Sequence, residues 1–138
     1  MIVVDPRLNK VEMQHWLVQY LASYATMDYD MPMTGKEITL FDIAVTTTGQ
    51  CKVELFENNH GYQLKALATL QTGQNQSTFV YSLGMVLPTY STVKVRVTNF
   101  EKWPYDIAIM LRYSSEDLYE KYNREFTRAL EAKLERET

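Results

Sequence analysis

From residue 37 to residue 113 the sequence alternates apolar and polar residues in short segments separated by turn signals. The clearest segment sets Val93, Val95 and Val97 against polar residues at the positions between them. A period of two residues predicts β-strands with one dry face and one wet face. The six segments with this pattern cover residues 37–46, 51–57, 62–71, 78–87, 92–100 and 105–113.

The short connections between these segments decide how the predicted strands pair. Parallel strands need crossovers of a dozen or more residues, usually helical, and no such stretch separates the segments. The predicted sheets are therefore antiparallel. Strands with one apolar face must pack that face against another sheet, so the predicted fold is mainly β, an antiparallel β-sandwich of the jelly-roll or Ig-like type.

The regions on either side of the predicted sandwich have a period near 3.6 residues and predict amphipathic helices. Asp5 is the expected N-cap of the first helix, Pro6 fits its first position, and a wide apolar stripe continues to Tyr24. Pro32 and Gly35 mark an aperiodic connector. We predict one domain over 1–138, with an N-terminal helix at 1–26, a connector at 27–36, the β-sandwich at 37–113 and a C-terminal helix at 114–138.

The C-terminal helix is expected to begin at Ser114-Ser115 and carries a narrow apolar stripe with charged flanks. This pattern is typical of a helix that lies in a groove or pairs with another helix. The predicted partner-binding residues are Tyr119, Tyr122, Phe126, Ala129 and Leu130. Packing of the stripe on the chain's own sandwich is the alternative, and the sequence leaves it open.

The length of this predicted helix also indicates assembly. About 24 residues of helix would span about 36 Å, whereas a β core of roughly 80 residues should be only about 30 Å across. The helix would overhang the core, which predicts a homo-oligomer or a partner-dependent assembly with other protein subunits.

Composition excludes several partners and compartments. The formal net charge is −3 and the pI is about 5.4, so there is no excess of Lys and Arg to neutralise nucleic-acid phosphates. No apolar run reaches the length of a membrane span or a signal-peptide core. We therefore expect neither nucleic acid nor membrane as a partner and a cytoplasmic protein. Cys51 shares strand parity with Val53 and Leu55, which predicts a buried structural thiol.

No residue pattern typical of catalysis is apparent, so the chain is predicted not to be an enzyme and to use no cofactor or metal. His15 and His60 belong to no metal-ligand spacing and no nucleophile motif; we expect His15 to pack on a helix flank and His60 to be solvated in a turn. Asp28 and Asp30 form a D-x-D pair but lack the further ligands and the glycine turn of calcium sites.

Aromatic residues near the predicted turns support an alternative function. A sandwich that binds sugar typically offers aromatic rings at a loop edge or sheet face. Tyr90, Trp103 and Tyr105 would be the sugar-binding residues of such a carbohydrate-binding module. Packing beneath the loop and anchoring a protein interface are the other interpretations of Trp103, and they stay open.

The stretch 91–113, S-T-V-K-V-R-V-T-N-F-E-K-W-P-Y-D-I-A-I-M-L-R-Y, resembles the closing hairpin of β-sandwich subunits in tailed-bacteriophage particles. The likeness covers only the β region and transfers no functional residue. It implies a non-enzymatic structural protein of the virion, such as a head decoration (capsid) protein, a head-to-tail connector or a tail subunit. The implied location is the virion, assembled in the host cytoplasm.

Overall fold

Strands dominate the part of the chain that the structure, a computed structural model, describes, namely residues 11–31, 35–59, 64–72 and 78–137. The elements in chain order are β1 (Glu12–Leu21), β2 (Thr26–Asp30), β3 (Glu37–Thr47), β4 (Cys51–Asn58), β5 (Lys65–Gln71), β6 (Thr78–Leu87), β7 (Thr92–Asn99), β8 (Tyr105–Glu116) and α1 (Leu118–Glu137). The predicted strand at 78–87 has the same bounds in the structure.

These strands form two four-stranded antiparallel sheets. Sheet A has the strand order β1-β8-β3-β6, and sheet B has the order β2-β7-β4-β5. The connections β1–β2 and β7–β8 each lead from one sheet to the other, which ties the two layers together. The predicted mainly β fold, an antiparallel sandwich, is confirmed.

The core lies between the two sheets and is built from the predicted dry faces. Val93, Val95 and Val97 of β7 are fully buried, and Ile107 and Leu111 of β8 face them from the other sheet. Successive side chains of a strand point to opposite faces, so strict alternation supplies one apolar layer per sheet.

Cys51 lies in this core, as predicted. Its side chain is fully buried, and its backbone N–H donates to the hydroxyl of Thr72 at 2.9 Å. Burial raises the pKa of the Cys51 thiol above its ordinary value, because the thiolate would lose its hydration. The thiol is therefore neutral and unreactive at physiological pH.

The prediction of an N-terminal helix at 1–26 is wrong. The structure describes residues 11–26 of this range, and none of them is helical. Residues 12–21 form β1, in which Trp16 and Val18 are buried and Leu17 is exposed. A bulge between Val18 and Leu21 shifts the parity, so that Leu21 also points inward. Apolar residues on both faces, together with this shift, imitate helical spacing. The proposed helix start at 5–6 lies outside the described residues.

The predicted connector and the start of the final helix also need correction. Part of the connector is β2, which pairs with β7 along its whole length. Ser114 and Ser115 do not cap the helix but extend β8, because β3 continues to pair with them. The helix begins at Leu118.

Sheet B contains one further departure from simple alternation. Strict alternation would put Ala66 on the same side as Leu70, but a register shift in the β4–β5 pair leaves Ala66 exposed while Leu70 stays buried. A bulge of this kind reverses the facing of every residue beyond it. His60 lies outside the described residues.

Candidate interaction surfaces

Helix α1 starts with a capping interaction that the sequence encodes. The Asp117 carboxylate accepts a hydrogen bond from the backbone N–H of Glu120 at 2.7 Å. Asp and Glu three residues apart form the capping-box pattern, which satisfies N–H groups that have no partner inside the helix. The same hydrogen bond holds the pKa of Asp117 below its usual value.

The charged side of α1 attaches the helix to the end of sheet A. Arg124 forms an ion pair with Glu116 at 2.8 Å, in which both side chains are only 8% exposed. Lys121 pairs with Glu37 at 2.9 Å. Both partners belong to the sandwich, so the first two turns of α1 present their polar residues to the chain's own β-sheet.

The apolar stripe of α1 points away from these ion pairs and is exposed. The large side chains of the stripe are 47–74% exposed: Tyr119, Tyr122, Phe126, Leu130 and Leu134. Ala129 is exposed as well. The rings of Tyr122 and Phe126 stack with their centroids 6.3 Å apart, which makes a continuous apolar ridge. The stripe therefore does not pack on the chain's own sandwich, and all five predicted partner-binding residues are accessible.

The ridge follows every fourth residue from Tyr122 to Leu134, a length of about 18 Å along the axis. A two-stranded coiled coil would instead need apolar residues repeating every seven residues. Seven residues beyond Phe126 lies Lys133, and seven beyond Ala129 lies Arg136. The ridge is thus shaped for a groove or a sheet rather than for a long helix pair.

A second exposed apolar surface covers part of the outer face of sheet A, beside the Arg112–Asp42 ion pair on the same face, and sequence reasoning missed it. Leu17 on β1 is 58% exposed and Val80 on β6 is 63% exposed. Between them, on the two central strands, lie the small side chains of Ala44 and Ala108. These residues and Met110 line a shallow depression in the sheet. We call this surface the sheet A depression.

The sequence signal that could have revealed this depression is the near absence of polar residues at the outward positions of β1. Met13, His15 and Leu17 alternate with Trp16 and Val18, so both faces of β1 are largely apolar. His15, expected on a helix flank, is an exposed strand residue at the margin of the depression.

The outer face of sheet B is of the opposite kind. Arg96 donates two hydrogen bonds to Asp28, and its guanidinium lies 5.1 Å from the ring centroid of Phe56. Asp30 forms an ion pair with Lys94 at 3.7 Å. The D-x-D pair therefore serves cross-strand ion pairing, and the Arg96 side chain holds the pKa of Asp28 below its usual value.

The three aromatic residues considered for sugar binding do not form one platform. Tyr105 is buried, and its hydroxyl donates to the backbone carbonyl of Gln50. Tyr90 and Trp103 are exposed, but they lie at opposite ends of β7, which at eight residues spans about 26 Å. Carbohydrate binding stays a prediction, and the structure does not bring these three rings together in one site.

Within the described ranges, no group of three or more His, Cys, Asp or Glu side chains is arranged to hold a metal ion. Over the same part of the chain, no helix combines the length and the apolar character needed to cross a bilayer. The absence of catalysis stays a prediction.

Comparison with known proteins gives distant structural likenesses only. No protein-family model and no curated protein matches the sequence. The nucleoplasmin-like N-terminal domain of Drosophila FKBP39 is 10% identical with a TM-score of 0.47, covering 78% of this chain and 91% of that one. The tobacco streak virus coat protein is 9% identical with a TM-score of 0.42, covering 80% and 89%.

A further likeness is to the subunit of Bacillus endospore appendages, described as disulfide-linked pili, which is 10% identical with a TM-score of 0.41 and covers 78% of this chain and 90% of that one. The resemblance to bacteriophage particle subunits stays a prediction. The function of this chain must therefore be inferred from its own surfaces.

Proposed function

We propose that this chain is a non-enzymatic structural subunit that acts through protein–protein contacts made by α1. The observation that carries the proposal is the orientation of the helix. Its charged side pairs with the sandwich through Arg124 and Lys121, and its apolar ridge faces outward. A ridge of stacked aromatic and leucine side chains is the kind of surface that anchors a protein interface.

The proposed setting is the particle of a tailed bacteriophage, as a head decoration protein, a head-to-tail connector or a tail subunit. Residues 91–113, which carry the resemblance, form β7, most of β8 and the turn between them; the two strands lie in different sheets, each as an inner strand. Mass spectrometry of purified particles tests this setting. If particles that assemble normally do not contain this chain, the proposed setting is contradicted.

Self-association tests the role of the helix directly. Replacing Phe126 and Leu130 together by Ser removes the middle of the ridge and leaves the Arg124–Glu116 attachment in place. Light scattering over a range of concentrations should show an oligomer for the unaltered chain and a monomer for the variant, with equal thermal stability.

The matched control replaces the exposed Thr127 and Arg128, on the same two turns but off the ridge, by Ser and Gln. This control should assemble like the unaltered chain. A monomeric unaltered chain at every concentration, with no partner recovered from particles, would overturn the proposal.

A further inference from the structure

We infer that the apolar ridge of α1 in one copy of the chain docks into the sheet A depression of a neighbouring copy. This inference rests on the proposed role of α1 in assembly and names the surface that receives the helix. The occupant is a second copy because the same chain exposes both this apolar ridge and an apolar patch on sheet A that can receive it.

The two surfaces do not cover each other within one chain. The ridge lies on the side of α1 opposite Arg124, which is held at the end of β8 by Glu116. Leu17 and Val80, at the two sides of the depression, are more than half exposed. Among the described residues, neither surface therefore covers the other.

The shapes and lengths of the two surfaces match. Leu17 and Val80 stand at the two sides of the depression, and its floor on the central strands is formed by Ala44, Ala108, Thr46 and Met110. The outer strands β1 and β6 are three strand spacings apart, about 14 Å. The ridge is convex and about 18 Å long, so its middle third, around Phe126, fits between the sides of the depression.

The area available is that of a weak contact that becomes strong by repetition. The two rings of the ridge, Tyr122 and Phe126, offer at most about 400 Å² of apolar surface, taking about 200 Å² for each buried aromatic side chain. A standard interface takes about 800 Å² from each partner. Because each copy has one ridge and one depression, every copy inside the assembly makes two such contacts, and a closed ring gains further from the joint closure.

A helix pair between two copies accounts less well for the same ridge. The coiled-coil positions that continue from Phe126 and Ala129 are Lys133 and Arg136. A paired helix would therefore bury apolar side chains over two heptads only.

Docking of the helix of one copy onto the sheet of the next is a head-to-tail contact. Such a contact generates a ring when the rotation between copies closes and a filament when it does not.

Complementation between two variants tests the head-to-tail contact. One variant replaces Phe126 and Leu130 by Ser and keeps its depression, and the other replaces Leu17 and Val80 by Lys and keeps its ridge. Each alone should be monomeric by light scattering. Mixed in equal amounts and at a concentration high enough for this single weak contact, they should form a one-to-one dimer and nothing larger, because only one intact ridge meets one intact depression.

Cysteine cross-linking checks the contact at the residue level, since the native Cys51 is buried and does not compete. Ala108→Cys copies mixed with Leu130→Cys copies should form a mixed disulfide dimer several-fold more readily than Thr69→Cys copies mixed with Leu130→Cys. Thr69 is exposed on the outer face of sheet B and serves as the control.

The outcomes separate the inference from the proposed function. Disulfide dimers formed mainly between two Leu130→Cys copies, together with no dimer in the mixture of variants, would overturn the docking surface and leave assembly through α1 standing. Equal cross-linking to Ala108→Cys and Thr69→Cys would also overturn the docking surface. A monomeric unaltered chain would overturn both.

Discussion

The two outer faces of the sandwich are built from similar strands but differ in chemistry. On sheet B, Asp28 and Arg96 pair across neighbouring strands, and charged side chains continue the row. Sheet A also carries one such pair, Arg112 with Asp42, but its other outward positions include Leu17, Ala108 and Val80. Cross-strand ion pairs suit a face that stays in water, whereas an exposed apolar patch is typical of a contact surface. We therefore expect a partner to cover the apolar part of sheet A and solvent to cover sheet B.

The largest expected effect separates the inner and outer faces of β7, on which the comparison depends. Val95→Asp should prevent folding, because an unpaired carboxylate in the core costs several kcal/mol against a total stability of about 5–15 kcal/mol. Arg96→Gln, one residue away on the wet face, should lose less than about 1 kcal/mol. Urea unfolding followed by circular dichroism measures both. Similar midpoints for the two variants would mean that the faces of β7 have been exchanged.

A smaller effect distinguishes the buried ion pair at the end of sheet A from the exposed pairs of sheet B. Arg124→Met leaves Glu116 buried without its cation and should cost about 3 kcal/mol. Adding Glu116→Gln should recover most of this loss, because the uncompensated charge is gone. Equilibrium unfolding of the single and double variants tests it. If the single variant is as stable as the unaltered chain, the attachment of α1 does not depend on this pair.

The next effect sharpens the contrast between the two outer faces directly. Val80→Lys should change the free energy of unfolding by no more than about 0.5 kcal/mol, as for other surface positions, while self-association falls. Thr69→Lys on sheet B should change neither quantity. Unfolding and light scattering on the same samples measure both. A loss of several kcal/mol for Val80→Lys would place this face in the core of the monomer.

The smallest effect is a pH dependence confined to sheet B. The folded-state pKa of Asp28 is lowered by the Arg96 hydrogen bonds. Its contribution is therefore present above the ordinary carboxyl pKa of about 3.9 and is lost as the pH falls through the lower folded-state value. The difference in urea midpoint between the unaltered chain and Asp28→Asn should be present at neutral pH and disappear in acid. When both chains also carry Arg96→Gln, the difference in urea midpoint should no longer depend on pH. A pH dependence that persists in this background would assign the effect to a group other than the Asp28–Arg96 pair.

The alternation of residues predicted much of the sandwich because each of the segments concerned has one wet face. In β7, the polar residues between Val93, Val95 and Val97 made the period of two unambiguous. In β1, the outward positions are Met13, His15 and Leu17, so His15 was the single polar residue that marked the wet face. The missed strand and the missed apolar surface thus have one cause, which is an outer face that is itself largely apolar.

The candidate site was predicted in part for a similar reason. The ridge on α1 was visible because helical spacing depends only on neighbours in sequence, and its five predicted residues are all exposed. The direction in which the helix faces was not visible, because it depends on Glu37 and Glu116, which precede the helix in the chain and join it only through tertiary ion pairs. The sheet A depression combines residues of four strands and could not be read from any one segment.

The strand order has a consequence for the newly made chain as it leaves the ribosome. One of the two inner strands of each sheet is made late: β7 of sheet B and β8 of sheet A are the last two of the described strands to be synthesised. Until residues 92–116 emerge, β3–β6 and β4–β5 can pair as separate ribbons, while β1 and β2 have no neighbour within their own sheets. Non-local pairing of this kind is slow and leaves apolar edges open. A nascent chain that pauses before β7 would therefore depend most strongly on chaperones. Synthesis of about 25 further residues, which takes roughly one to five seconds at ordinary translation rates, would supply the two strands that cover these edges.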